Sequence, residues 1–298
     1  MSAADISLQA ERAARAAARR DAVASFSLLG PASIVTAIML LGPLLVLARF
    51  SLNRFDPVNL MVAAATPANY LRFFANPFYR DVMLTTIRVS LITTIACLVL
   101  GLPMGWRLAR TQSRAKSLWV ILTILPLFIG ATTRTAGWMI LFARGGMLDI
   151  AARLLHAGRV DLMFSESAVI AGIISINLPF MILTLQSVFE GIDSRLEEAA
   201  ASFGATPSRA FRRVIFPLAL PGIVISAVLC FILSMNAFPT PVLLGGPRFH
   251  MMAPLLYLEF SSDNNWPFSA ALGFILMATT LILIGLANII IPRRYRPA

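Results

Sequence analysis

Six stretches of this chain, roughly residues 28–50, 83–108, 118–143, 167–189, 218–244 and 268–291, are apolar over the ~20 residues that a helix needs to cross a bilayer. Lipid offers the backbone no hydrogen-bond partner, so segments of this length fold as helices whose bonds close internally. A soluble domain could not hide so much apolar surface. The chain is 58% hydrophobic and only 13% charged, with a mean hydropathy of +0.80, which places it among polytopic membrane proteins. The expected fold is an all-α polytopic membrane protein with six transmembrane helices.

Charge sets the orientation. Fifteen of the 25 Lys and Arg residues fall in segments sharing a side with the N-terminus, including Arg12, Arg15, Arg19, Arg20, Arg107, Arg110, Arg114, Lys116, Arg209, Arg212 and Arg213. The alternate segments hold eight, Arg49, Arg54, Arg72, Arg80, Arg144, Arg153, Arg159 and Arg248. This bias puts both termini and the 190–217 loop in the cytoplasm. The net charge of +11 is therefore topological, and nucleic acid is not an expected partner. The first span follows a basic tail like a signal peptide, but its apolar run is too long and no small-residue cleavage site follows, so it is read as uncleaved. The organisation is a basic tail (1–27), a first span with its outer loop (28–82), a core of five helices (83–291) and a second basic tail (292–298).

All 14 acidic residues lie outside the six stretches. Intramembrane carboxylates mark proton relays and ion sites, so their absence argues against a proton-coupled carrier. Sodium coupling through backbone carbonyls stays open. Ser and Thr within the spans have no His or carboxylate beside them to act as a base, so no catalytic residue is expected. There is no GxxxxGK[ST] phosphate loop, and ATP chemistry would have to come from another chain. Cys97 and Cys230 read as packing residues, and with no CxxC pair and only His156 and His250 no metal site is expected.

Residues 190–222, EGIDSRLEEAAASFGATPSRAFRRVIFPLALPG, form a charged, helix-forming loop between two spans. Ser194 and Glu197 have capping-box spacing. Glu198, Ala199, Ala200 and Ala201 propagate a helix, and Gly204 is placed to end it in a left-handed conformation. Thr206-Pro207 starts a second helix, which Pro217 and Pro221 are expected to stop before the next span.

Inside the spans, Arg134 lies about eighteen residues beyond Lys116, ~27 Å from the inner face on a straight helix. It is within snorkelling reach of the outer surface, and either lines a solute pathway or braces neighbouring carbonyls. Arg88 reads as a snorkelling anchor. Asn236 interrupts an apolar run and needs a partner within the bilayer. Phe238-Pro239-Thr240-Pro241 must distort the same span near its outer end.

Glu198-Ala199-Ala200, Gly204 after three residues, and Val214-Ile215-Phe216-Pro217 after nine more resemble the EAA motif of ABC importer permeases. Val214 and Phe216 stand where the motif has Ile and Leu. Arg134-Thr135-Ala136-Gly137-Trp138, Leu178-Pro179-Phe180, Ala237-Phe238-Pro239-Thr240-Pro241 with Leu243-Leu244-Gly245-Gly246, and Asn265-Trp266-Pro267-Phe268-Ser269-Ala270-Ala271 resemble the spermidine/putrescine-type branch. The resemblance covers roughly residues 82–291.

It implies a type I ABC importer permease fold in the bacterial inner membrane, forming half of a solute pathway. Glu198, Ala199, Ala200, Gly204 and Pro217 would couple it to a separate ATPase. Arg134, Trp138, Asn236, Phe238 and Thr240 are candidate pathway residues. The implied partners are two ATPase subunits carrying ATP and magnesium, a second permease subunit of different sequence, and a periplasmic solute-binding protein docking on the outer loop 247–267. The implied solute is a polyamine or similar small organic compound. A secondary transporter or channel not driven by ATP is the alternative, and a scaffold that tethers an ATPase without moving solute is another.

Overall fold

A computed structural model describes residues 30–113, 115–154 and 162–290. The two basic tails, Arg114, His156 and Arg159 lie outside the described residues. The first span is helix α1, Gly30–Ser51. The segment after it forms a small antiparallel hairpin, β1 (Arg54–Asp56) and β2 (Leu60–Val62), in a fold that is otherwise helical among the described residues. Its turn forms because Asp56 Oδ1 accepts from the N–H groups of Val58 and Asn59, both at 2.8 Å. Those two bonds, Asn59 first, hold the Asp56 carboxyl below its ordinary value. Helix α2 (Ala68–Ala75) follows, tied to the end of α1 by Asn69, whose buried amide donates to the carbonyls of Ser51 and Asn53.

Helix α3 (Pro77–Arg110) starts earlier than its apolar run, because Asn76 caps Phe78 N–H at 2.9 Å and Pro77 preorganises the first turn. Gly101 faces Met181 and Gly105 faces Leu185 on α7 (Glu166–Glu190), so the two helices are parallel neighbours, and the orientation expected from the charge bias runs both from the outer to the inner face. Gly101 and Gly105 make their close approach possible. A Cβ at Gly101 would meet Met181 Cγ at 2.8 Å, and one at Gly105 would meet Leu185 Cβ at 2.9 Å. The small-xxx-small spacing puts both glycines on the face that meets α7.

The third apolar stretch is not a straight span. It consists of α4 (Ala115–Ile124), a 3₁₀ turn (Leu125–Phe128) and α5 (Ala131–Phe142), with a bend of 93° between the two arms. Pro126 tightens the turn, and Ile129 and Gly130 adopt extended backbone that redirects the chain. A short helix, α6 (Met147–Leu154), continues the second arm. Among the described residues five helices are long and apolar enough to cross a membrane, and the bent pair makes a sixth when taken as one span.

After α7 come α8 (Arg195–Ser202) and α9 (Pro207–Ala210). The expected stop at Pro217 and Pro221 does not occur. A π turn at Phe211–Ile215 leads directly into α10 (Phe216–Met235), with Phe216 N–H bonded to Phe211 O. The wider turn gives Pro217 room where a tight α turn would clash, so the helix runs on. The fifth span ends at Met235, earlier than its apolar run. Helices α11 (Pro239–Gly245) and α12 (Met252–Ser261) then fold back on the outer side before α13 (Trp266–Ile290) returns.

Three apolar clusters hold this together. An outer one joins Phe73, Tyr79, Met235, Met252, Phe268 and Leu272. A middle one centres on Val89, Phe142, Ile173 and Leu244. The inner one, Cys97, Met181, Leu185, Phe189, Ile215 and Cys230, sits directly behind the 190–217 loop, and both thiols are buried and free.

Candidate functional site

The loop begins with a cap different from the expected one. Ser194 is already helical and makes no side-chain cap; Asp193 Oδ1 accepts from Arg195 N–H at 2.9 Å instead. Glu197 is thereby released from capping and accepts from Arg110 Nε at 2.7 Å, while Arg110 Nη1 donates to Ile192 O. The inner end of α3 thus grips both the entry and the first turn of α8. The expected glycine turn is present. Gly204 has φ +76°, its N–H bonds Ala201 O, and Ala205 N–H bonds Ala200 O, the paired bonds of a Schellman closure. Thr206 is extended with no side-chain cap, and Pro207 occupies the first turn of α9.

The far face of α8 has no partner among the described residues. Glu198, Ala199 and Gly204 are exposed, Ala200 is half-buried, and Phe203 keeps 92% of its surface open. A recess of about 290 Å³ lies between Phe203, Ala200, Arg209 and Arg213. Behind it, Phe211 packs on Trp106 at 4.8 Å and on Phe189 at 6.1 Å, joining the loop to α3 and α7. Pro217 is half-buried at the start of α10. Lys116 pairs with Glu190 at 2.8 Å, so α4 is tied to the same corner.

The candidate pathway residues separate into two groups. Arg134 does not extend outward to the surface. It donates to the carbonyls of Pro126, Ile129 and Ser175, which are at the break in the third stretch and on α7. Trp138 Nε1 donates to Ser175 Oγ at 2.9 Å, and its ring stacks on Phe142. Thr240 is fully buried, 3.2 Å from Thr135 Oγ1, with its methyl facing Gly172. These three residues fasten α5 and α11 to α7. Asn236 is exposed and satisfies its amide on Ile232 O, one turn back in its own helix. Phe238 meets Tyr257 edge-to-face at 4.9 Å in an outer groove. Arg88 pairs with Glu166 at the outer end of α7.

Sequence reasoning missed Arg110 as a contact of the loop, because basic residues at an inner helix end already satisfy the orientation rule. It also missed Glu259. This carboxylate is buried in α12, accepts from Tyr79 OH at 3.2 Å, and faces Asn265. Arg72 donates to Tyr79 OH and lies over the Phe268 ring at 4.3 Å. Burial pushes the Glu259 carboxyl above its ordinary value, against the opposing pull of Arg72.

Residues 34–296 match the family described as "Binding-protein-dependent transport system inner membrane component". The chain belongs to that family. It is similar to the spermidine/putrescine transport system permease protein PotB of Escherichia coli K12, 34% identical over 81% of this chain and 86% of the relative. The molybdenum transport system permease protein ModB of Mycobacterium bovis is 28% identical over 75% of this chain and 86% of the relative. A crystal structure of a bacterial alginate ABC transporter, in complex with an alginate pentasaccharide-bound periplasmic protein, shares the fold. Its TM-score is 0.72 at 16% identity, covering 94% of this chain and 97% of that one. The chain is thus an inner-membrane permease component of an ABC importer, with the type I permease fold that its motifs resembled.

Proposed function

We propose that this permease forms half of the solute pathway of an ATP-driven importer and couples to a separate ATPase through residues 190–217. The observation that carries the reading is mechanical. Helix α8 exposes Phe203 at 92% together with Glu198 and Ala199, while its base is clamped to α3 by the Arg110–Glu197 pair. A surface helix held this firmly, with a bare apolar tip, is built to receive a load from a partner. Glu198, Ala199, Ala200 and Gly204 transmit motion in this reading, and Pro217 passes it into α10.

ATP and magnesium belong on two ATPase subunits. A second permease subunit of different sequence completes the pathway, and a periplasmic solute-binding protein docks over 247–267. The basic bias of the inner segments supports cytoplasmic termini. The solute is a polyamine or a similar small organic compound; the names of the PotB relatives support this class.

Uptake by cells carrying the complete importer tests the coupling. Glu198→Lys combined with Gly204→Asp is expected to abolish uptake with the chain still in the membrane. Full uptake by that variant would sink the coupling role. Gentle extraction followed by mass spectrometry is expected to recover an ATPase and a second permease. Recovery of the chain alone, even after crosslinking, would point to a self-sufficient carrier.

A further inference from the structure

The outer half of the chain holds a groove of about 620 Å³, walled by Phe164, Phe238, Phe249, His250 and Tyr257. Two of its rings are seated on glycines. A Cβ at Gly246 would come within 2.6 Å of Phe164 Cδ1, and one at Gly245 within 2.6 Å of Phe249 Cδ1. Phe164 itself sits at φ +61°, a left-handed conformation that a bulky residue adopts only where its surroundings enforce it. Phe164 is 58% exposed, and Tyr257 is 54% exposed beside Phe238. Phe249 also packs on the middle cluster, whereas Phe164 and Tyr257 present aromatic surface that the described residues leave open.

Its electrostatics are equally selective. The one acid of α12, Glu259, lies about 200° around the helix from Tyr257 and is taken up by Tyr79 and Asn265. Among the described residues no carboxylate lines the groove. Beside His250 and the hydroxyls of Ser261 and Ser262, the groove offers the electron-rich faces of Phe164, Phe238, Phe249 and Tyr257, which attract ammonium groups and repel anions.

We propose that this groove is the chain's solute-contact surface and that it takes short aliphatic ammonium cations on its aromatic faces. The inference rests on the amine-importer reading above. Its size suits a small linear amine, whose methylenes pack on the same rings that attract its charged ends. Ion pairs would hold such a solute too long, whereas several weak contacts let it enter and leave, as conduction requires.

The test uses the complete importer in cells lacking other amine uptake, supplied with labelled putrescine or spermidine. Tyr257→Leu and Phe238→Leu are each expected to lower maximal uptake on the order of ten-fold. Membrane levels should persist. Tyr257→Phe, which keeps the ring, is expected to retain most of the uptake. Leu variants that match wild type, or a Tyr257→Phe variant as impaired as Tyr257→Leu, would overturn the groove assignment while leaving the amine reading intact. Wild type that imports an oxyanion and no amine would overturn the amine reading itself, before any variant is compared.

Discussion

Arg134 donates to the Ser175 carbonyl at 3.2 Å, and that carbonyl is the one that Pro179, four residues on and without an N–H, leaves without its helical partner. One guanidinium thus repairs a proline defect in α7 and the broken backbone at Pro126 and Ile129. Ser175 sits about 14 Å of helix rise below Glu166, deep enough that water cannot do this work.

Arg134→Lys keeps the charge and loses the fork that reaches three carbonyls. It is expected to lower the unfolding midpoint of the purified protein by an amount corresponding to about 1.5–3 kcal/mol. A thiol-reactive dye reports unfolding, since Cys97 and Cys230 are both buried. A midpoint equal to wild type would show that the carbonyls need no fork.

The glycine seam between α3 and α7 makes a steric prediction. Gly105→Leu must push against Leu185 Cβ, Gln186 N and Ile182 O, all within 3.3 Å of an added Cβ. A destabilisation of about 1–3 kcal/mol or more is expected, with less protein in the membrane. Gly137→Ala, where nothing lies within 4 Å, is the matched control. Equal membrane levels for both variants would contradict the seam.

Arg110 and Glu197 are predicted to act as one unit. Arg110→Gln and Glu197→Gln should each reduce uptake several-fold with the chain retained in the membrane, and the double variant should be no worse than the poorer single. Losses that multiply would mean the two residues contribute independently, and the clamp on α8 would fail.

Glu259 gives a pH signature. Its carboxyl is raised by burial above its ordinary 4.5, so the folded state favours the proton. The associated stability is complete below about 4.5 and is lost as pH rises through the folded value. Glu259→Gln removes this dependence. The midpoint of the variant relative to wild type is expected to increase between pH 4 and pH 7, and a constant difference would refute the assignment.

Hydropathy revealed the spans because length and composition suffice for them, but it is a sum without direction. The 93° bend was invisible, since Pro126 and Gly130 only permit a break that Arg134 then stabilises through distant carbonyls. Thr240 was a candidate pathway residue because its proline-flanked segment must distort the span; its hydroxyl contact with Thr135 on a neighbouring helix was not legible, since the two lie 105 residues apart. The EAA spacing and the left-handed Gly204 were local and legible. The cap at Asp193 was not, because Ser194 and Asp193 both offer an oxygen, and the choice goes with a pairing of Glu197 to Arg110 from a distant part of the sequence. The aromatic groove escaped notice for a similar reason: Phe164, Phe249 and Tyr257 come from three separate segments.

The parallel course of α3 and α7 also fixes how far a small movement can carry. Their glycine seam and the Arg110 clamp tie the two helices together along their length, and the 34 residues of α3 give the pair a length of about 50 Å. A pair of that length, turned by about 10° at its inner end, sweeps its outer end through roughly 9 Å. In the coupling proposed above, a sweep of that size exceeds the width of a linear amine, so modest leverage at the Arg110 end would open or shut a passage at the other.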